Sequence, residues 1–308
     1  MSKIISVENL VKEYQNRFVA VRNISFSVEK GEVFALLGPN GAGKTTTLEI
    51  IEGIKSQTSG KVEVLGYDNI TQTEEIKKHI GVQLQSTEYM DYVTTSEFIT
   101  LFASFYKKKV DPIEVLSRVN LQDKHTSYIK QLSGGQKQCF SIALALVNDP
   151  EILFLDEPTT GLDPHARQEL WKLLENLNKN GTTIILTTHY MEEAEYLCDR
   201  VAIMEEGKIL AIGSTDELIN RLSKDYTLSF HVNTPINEDM FQDIEGVHSL
   251  KIEYPIVELK ISDPQTFPKV IDKLNQSGTL YSYLNIKAPG LEDAYIKLTG
   301  KNIIEENK

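Results

Sequence analysis

VFALLGPNGAGKTTT, Val33 to Thr47, joins a short aliphatic run to a glycine-rich turn and then to residues suited to opening a helix. The turn fits G-x-x-x-x-G-K-[ST] at Gly38, Gly43, Lys44 and Thr45. Glycines let backbone N–H groups turn inward around phosphate oxygens, Lys44 adds a mobile positive charge, and the helix N-terminus adds its dipole. Pro39, Asn40, Gly41, Ala42 and Thr46 complete the expected cradle. The hydroxyl of Thr45 is placed for Mg²⁺, which takes oxygen ligands and leaves room for water and two phosphates. A plain glycine turn before a helix is the alternative, and the strand on one side with a helix on the other weighs against it.

Two further runs, EILFLD at Glu151 to Asp156 and TTIILTT at Thr182 to Thr188, share the character of VFALLG. Each is short, apolar and bounded by turn residues, as a strand covered on both faces should be. With the helical patterns between them they predict an α/β domain on a largely parallel sheet. SVENLVKEY and NISFSVEK alternate apolar and polar residues and are expected as half-exposed antiparallel strands at the sheet's margin. DRVAIMEEGKILAIG reads as a hairpin turning near Glu206 and Gly207. A helical lobe rich in aromatics is expected over about 86–148, within a domain spanning 1–222. From Tyr226 onward the pattern becomes βαββαβ, a small α+β ferredoxin-like domain over 223–300, followed by a polar tail, 301–308.

ILFLDEPTTGLD puts adjacent carboxylates, Asp156 and Glu157, at the end of a buried strand. One is expected to hold a metal-bound water and the other to orient or deprotonate an attacking water. An ordinary strand-end acid pair is the competing explanation. His189 follows TTIILTT, so a parallel sheet brings it to the same edge, within reach of a γ-phosphate. No spacing among the other histidines suggests metal ligation.

LSGGQ at Leu132 to Gln136 supplies a second glycine turn, in which Ser133, Gly134 and Gly135 can present N–H groups ahead of another helix. Taken alone it is equally a helix cap.

The chain has 32 basic and 44 acidic side chains among 308 residues, a formal net charge of −12, which disfavours a phosphate backbone as partner; no nucleic acid is expected. No run approaches the roughly 18–20 apolar residues that cross a bilayer. The N-terminus lacks a signal-peptide pattern. Cys139 and Cys198 are read as reduced, packed thiols.

Together these motifs resemble the nucleotide-binding subunit of ABC transporters over about Ser2 to Leu222, with a P-loop NTPase cassette made of a parallel-rich sheet, an antiparallel β subdomain and a helical lobe. The resemblance implies ATP and Mg²⁺ as cofactors and hydrolysis of the ATP. Walker A is matched at Gly38 to Thr45, Walker B at Ile152 to Asp156 and the family signature at LSGGQ. In the family the signature of one protomer closes over the γ-phosphate held by the other, so Ser133, Gly134, Gly135 and Gln136 are expected to serve a neighbour's nucleotide. By the same resemblance Gln85 matches the Q-loop glutamine near the metal, and Tyr14 the aromatic that stacks on adenine, with a margin-strand tyrosine as the alternative. Asp163 matches the D-loop, Glu157 the catalytic base and His189 the switch histidine. Cys139 departs from LSGGQxQR, where many relatives carry arginine, and an effect on packing is expected rather than loss of hydrolysis.

APGLEDAYIKLTGK, Ala288 to Lys301, is similar to the endings of ATPases in the ABC-2 type drug and bacteriocin export branch. The resemblance therefore implies an ABC-2 type transmembrane permease subunit as partner, a head-to-tail dimer with itself or a sister ATPase, and a peripheral place on the cytoplasmic side of the membrane. The aromatics Tyr89, Tyr92, Phe98, Phe102 and Phe105 are expected to dock the permease, or else to form a plain helical core. An importer ATPase, a non-transport ABC ATPase acting on ribosomes or DNA, and a chiefly regulatory binder are the competing functions.

Overall fold

The computed structural model describes residues 2–15, 17–83, 90, 92–222 and 225–301. The chain divides into two compact units, the first ending at Thr215 and the second beginning at Asp216.

In the first unit the chain runs through β1 (Lys3–Glu13), β2 (Val19–Glu29), β3 (Val33–Leu37), α1 (Lys44–Ile51), β4 (Ser59–Val64), β5 (Tyr67–Asp68), α2 (Thr73–Ile76) and β6 (Ile80–Gln83). It continues with α3 (Thr95–Phe105), α4 (Pro112–Ser117), α5 (Gly134–Ala145), β7 (Ile152–Asp156), α6 (Pro164–Lys179), β8 (Thr183–Thr188), α7 (Met191–Leu197), β9 (Arg200–Glu205) and β10 (Lys208–Gly213). Then follow α8 (Thr215–Leu222), β11 (Tyr226–Val232), β12 (Val247–Glu253), β13 (Ile256–Ile261), α9 (Phe267–Gln276), β14 (Tyr281–Lys287) and α10 (Leu291–Thr299).

The central sheet has the order β10-β9-β3-β8-β7-β6. β3 pairs in parallel with both β8 and β9, β8 with β7, and β7 with β6. Every residue of β3, β7 and β8 is buried, which is why these segments read as unbroken apolar runs: both faces of the sheet are covered. β10 returns antiparallel to β9 across a turn in which Glu206 and Gly207 both take left-handed conformations, as the hairpin pattern required.

The alternating strands behave differently from expectation. β1 and β2 do not extend the margin of the parallel sheet; they pair with each other and with β4 in a separate antiparallel sheet of order β2-β1-β4-β5. Ile5, Val7, Leu10, Val21, Val28, Val62 and Val64 from that sheet enter one core with Phe34 and Leu36 of β3. Alternation reports one buried face, and says nothing about which sheet supplies the pairing edge.

The second unit has a sheet of order β12-β13-β11-β14, the ferredoxin-like arrangement, with a single 3₁₀ turn at Glu238–Phe241 in place of the first helix. Its core gathers Leu228, Phe230, Phe241, Val257, Leu259, Val270 and Leu274.

One glycine fixes how the first unit closes on itself. A Cβ on Gly38 would lie 2.2 Å from the carbonyl oxygen of Met204 on β9, a backbone atom with nowhere to go. Gly38→Ala is therefore expected to destabilise the chain by about 1–3 kcal/mol, read as a lower denaturant midpoint; an unchanged midpoint would contradict this packing.

Candidate active site

Sheet order decides what meets. β8 lies between β3 and β7, so the loop after β3, the carboxylates after β7 and the end of β8 share one carboxyl edge, where open α/β sheets hold ligands. α1 begins at Lys44 because Gly43 takes a left-handed turn (φ 95°), and no side chain caps that end. Its first N–H groups are left for an anion. A Cβ on Gly43 would also strike the carbonyl oxygen of Ala20 at 2.4 Å, so the loop needs glycine there twice over.

Lys44 is nearly inaccessible, and its Nζ donates to the carbonyls of Gly38 (2.7 Å) and Pro39 (3.0 Å) and stands 3.5 Å from Glu157 Oε1. Burial pulls its pKa down, opposed by the Glu157 and Asp156 carboxylates. Thr45 Oγ1 donates to Asp156 Oδ1 at 3.1 Å, and Thr187 Oγ1 donates to the same oxygen. Burial pushes Asp156 up while those two hydroxyls oppose it.

Glu157 takes φ 49°, unusual for a non-glycine residue, and is held in that turn by its N–H, which donates to Thr187 Oγ1 at 3.0 Å. Its Oε2 accepts from Thr160 Oγ1 at 3.1 Å and stands 3.4 Å from His189 Nδ1. His189 first, then Lys44, hold its carboxyl down to about 2 against the opposing effect of burial. A depressed carboxylate contributes stability that is complete above its unfolded value of 4.5 and lost as pH falls through about 2. Between pH 5 and pH 3 the wild-type chain is therefore expected to lose on the order of 1–2 kcal/mol more stability than Glu157→Gln, measured by denaturant unfolding. Parallel loss in the two proteins would remove the ion pair from the account.

Tyr14, Phe18, Asn40, Gly41, Gly43, Lys44, Thr45, Thr46 and Glu157 line one pocket of about 290 Å³. The Tyr14 hydroxyl lies 3.4 Å from Thr46 Oγ1, so the aromatic expected to meet a base does border the phosphate loop. Ala42 is buried beneath the loop. Gln85 and Tyr89 lie outside the described residues.

The second glycine turn lines a different pocket, about 410 Å³, with Ser133, Gly135, Gln136, Cys139 and Glu169 on its walls and no residue in common with the first. Ser133 caps α5: its Oγ accepts from Gln136 N at 3.3 Å, while Gln136 Oε1 accepts from Ser133 N at 3.0 Å. Within one chain the turn is thus a capping box. Asp163 is likewise the N-cap of α6, accepting from the N–H groups of His165 and Ala166. Burial pushes the Cys139 thiol up to about 11, consistent with a packing position.

A groove of about 730 Å³ is lined by the last turn of α3, with Phe102 and Phe105, by the end of α5, and by Ile54, Ile80 and Val82. Phe105 is 72% exposed, whereas Phe98, grouped with it on sequence, is only 9% exposed and packs edge-on against Phe140. Phe98 is core because its position on α3 faces α5. Tyr92 is exposed and lies under Lys130 Nζ at 3.6 Å.

Three residues were not anticipated from sequence. Thr187 ties Asp156 to Glu157, and the only trace of it was a polar pair closing an aliphatic strand. Glu193, fully buried, accepts from Trp171 Nε1 at 3.1 Å beneath the His189 turn. Burial pushes its carboxyl up. Glu52, at the end of α1, is buried on the floor of the groove. Each is one acidic or hydroxyl residue in an unremarkable local sequence.

Thr45 and Asp156 offer a hydroxyl and a carboxylate side by side, a pair of hard oxygens that suits Mg²⁺. Among the described residues no group of three or more His, Cys, Asp or Glu is arranged for a metal, so a metal here depends on phosphates and water for its remaining ligands.

The ABC transporter family model matches residues 21–160. The linearmycin resistance ATP-binding protein LnrL of Bacillus subtilis (strain 168) is 35% identical, with 97% of this chain and 99% of that protein covered. The Nod factor export ATP-binding protein I of Rhizobium etli is 36% identical over 97% of this chain and 94% of its own length. Among solved structures, a dimeric post-hydrolysis ATP-binding cassette bound to ADP and Pi superposes with a TM-score of 0.62 at 27% identity, covering 68% of this chain and 98% of that one.

Proposed function

Because the chain belongs to the ABC transporter family of ATP-binding subunits, we propose that it pairs head to tail, with a second copy or a sister cassette, and drives an ABC-2 type membrane permease in the export direction. It is an ATP-binding and ATP-hydrolysing subunit. The observation that carries the proposal is the division of labour between two pockets: Lys44, Thr45 and Glu157 line one, with Asp156 and His189 in contact behind them, while the signature turn lines another. A lone chain has no use for a second anion-binding turn that its own phosphate loop never meets. A neighbour's nucleotide gives it one.

In this assignment the N–H groups of Gly41 to Thr46 and the Lys44 ammonium bind the β- and γ-phosphates, with Tyr14 against adenine. Mg²⁺ would be held by Thr45 and Asp156, with Gln85 assigned to it by the family resemblance alone, and would supply neutralisation of phosphate charge. Glu157 accepts a proton from the attacking water, and His189 orients Glu157 and the γ-phosphate. Arrival of the phosphates draws Lys44 toward them and so relieves part of what holds Glu157 a weak base, the His189 contact being the larger share. The base thereby gains strength only when substrate is in place. Ser133 to Gln136 and Asp163 complete the partner's site.

The groove between Phe105 and Ile54 is the proposed dock for a cytoplasmic segment of the permease. Among the described residues no helix is long and apolar enough to cross a membrane, and in this assignment the membrane is spanned by the permease. The relatives named for linearmycin resistance and Nod factor export support an exporter of drug, antimicrobial-peptide or lipid-like cargo, placed peripherally on the cytoplasmic face.

The test is to trap Glu157→Gln with ATP in its own cells, extract membranes in mild detergent and identify co-purifying proteins by mass spectrometry. A polytopic membrane protein is the expected companion. Ribosomal proteins or DNA factors with no permease would overturn the transport assignment.

A further inference from the structure

Glu52 is 3% exposed, yet it lines the groove proposed above as the permease dock. Among the described residues its carboxylate has neither a hydrogen bond nor an ion pair; burial, then the Asp156 and Glu49 carboxylates, push it up to about 8. A carboxylate taken out of water without a partner is costly to the fold. Its position adds to the cost. Glu52 is the C-cap of α1, where the helix dipole already presents negative charge, and the last turn of α1 has no basic residue.

Lys77, Lys78, Lys107 and Lys108 border the groove; among the described residues none of them pairs with Glu52, and all but Lys107 hold another carboxylate. Glu49 is paired with Lys55 at 2.6 Å, and on the rim Lys77 bonds Glu74 at 2.8 Å and Lys78 bonds Glu75 at 2.7 Å. Lys108 is bonded to Asp149. Among the described residues, then, no basic side chain of this chain reaches the Glu52 carboxylate on the floor. The apolar walls, Ile54, Phe102 and Phe105, suit the hydrocarbon stem of a long basic side chain better than a hydrated metal ion.

We propose that Glu52 anchors the permease: a lysine or arginine on the cytoplasmic segment that fills the groove inserts between these walls and pairs with the Glu52 carboxylate. The proposal rests on the docking role of the groove and adds the chemistry of its occupant. It also gives docking a direct line to the site, because α1 carries Lys44 at one end and Glu52 just past the other, about 12 Å apart for a helix of this length.

The test uses the intact chain and the membrane subunit recovered with it. Glu52→Lys is expected to lower recovery of that subunit by roughly 30-fold or more, and Glu52→Gln by less. Exchanging one Lys or Arg in the subunit's cytoplasmic segments for Glu is expected to restore recovery with Glu52→Lys. Recovery with Glu52→Lys equal to that of the wild-type chain overturns the Glu52 pairing and leaves the dock standing. A loss that no such exchange restores also overturns it. Melting temperature of the purified variants reports folding; if Glu52→Lys does not fold, wild-type recovery with Glu52→Gln is the overturning result. If the wild-type chain itself brings down no membrane subunit, the docking role fails and the pairing falls with it.

Discussion

Replacing Glu157 by Gln is expected to slow ATP turnover by on the order of a hundredfold or more while nucleotide stays bound. The amide keeps the shape of the side chain, so the Thr160 hydroxyl and the Thr187 contact to the Glu157 N–H retain their partners. What disappears is the group able to take a proton from water. Lys44 also loses a carboxylate 3.5 Å away, which frees its charge for phosphate, so ATP affinity should hold or rise. Phosphate release and an ATP titration on the same preparation separate the two effects. Turnover within a few-fold of wild type would remove Glu157 from the role of base.

Lys44→Ala is expected to act on binding itself, weakening ATP by about 30-fold or more, since a charge-assisted hydrogen bond in a buried site contributes roughly 1.5–3 kcal/mol. The loss has a second component. Without the ammonium the Gly38 and Pro39 carbonyls lose a common donor, and Glu157 loses an ion pair at 3.5 Å. The variant should therefore also melt lower than wild type. Unchanged ATP affinity in calorimetry would contradict the cradle, whatever the melting temperature shows.

The phosphate loop, the paired carboxylates and His189 were legible because their chemistry demands particular residue types next to the ends of buried strands. The same logic gave the parallel sheet, whose strands have no polar face to confuse the pattern. The antiparallel strands β1 and β2 were legible as strands; the family resemblance implied an antiparallel subdomain, whereas alternation alone put them at the parallel sheet's margin, since pairing partners are chosen across long separations. Phe98 and Phe105 are seven positions apart and equally aromatic; only the packing of α3 on α5 buries one and exposes the other. Glu52 and Glu193 were invisible for a related reason. Glu is ordinarily solvated, and nothing in IEGI or MEEAE says which carboxylate the fold encloses.

The capping box at Ser133 has a consequence for assembly. Its Oγ is fixed as acceptor by the Gln136 N–H, which confines the side chain to one rotamer and leaves the hydroxyl proton as the only donor it has to offer. Immobilising a side chain at an interface ordinarily costs about 0.5–1.5 kcal/mol in lost freedom. Here that entropy is surrendered when α5 folds, long before a second protomer arrives. In the head-to-tail pair proposed above the saving would occur at both signature turns, so that closure would begin from a surface already preorganised for the phosphate assigned to it.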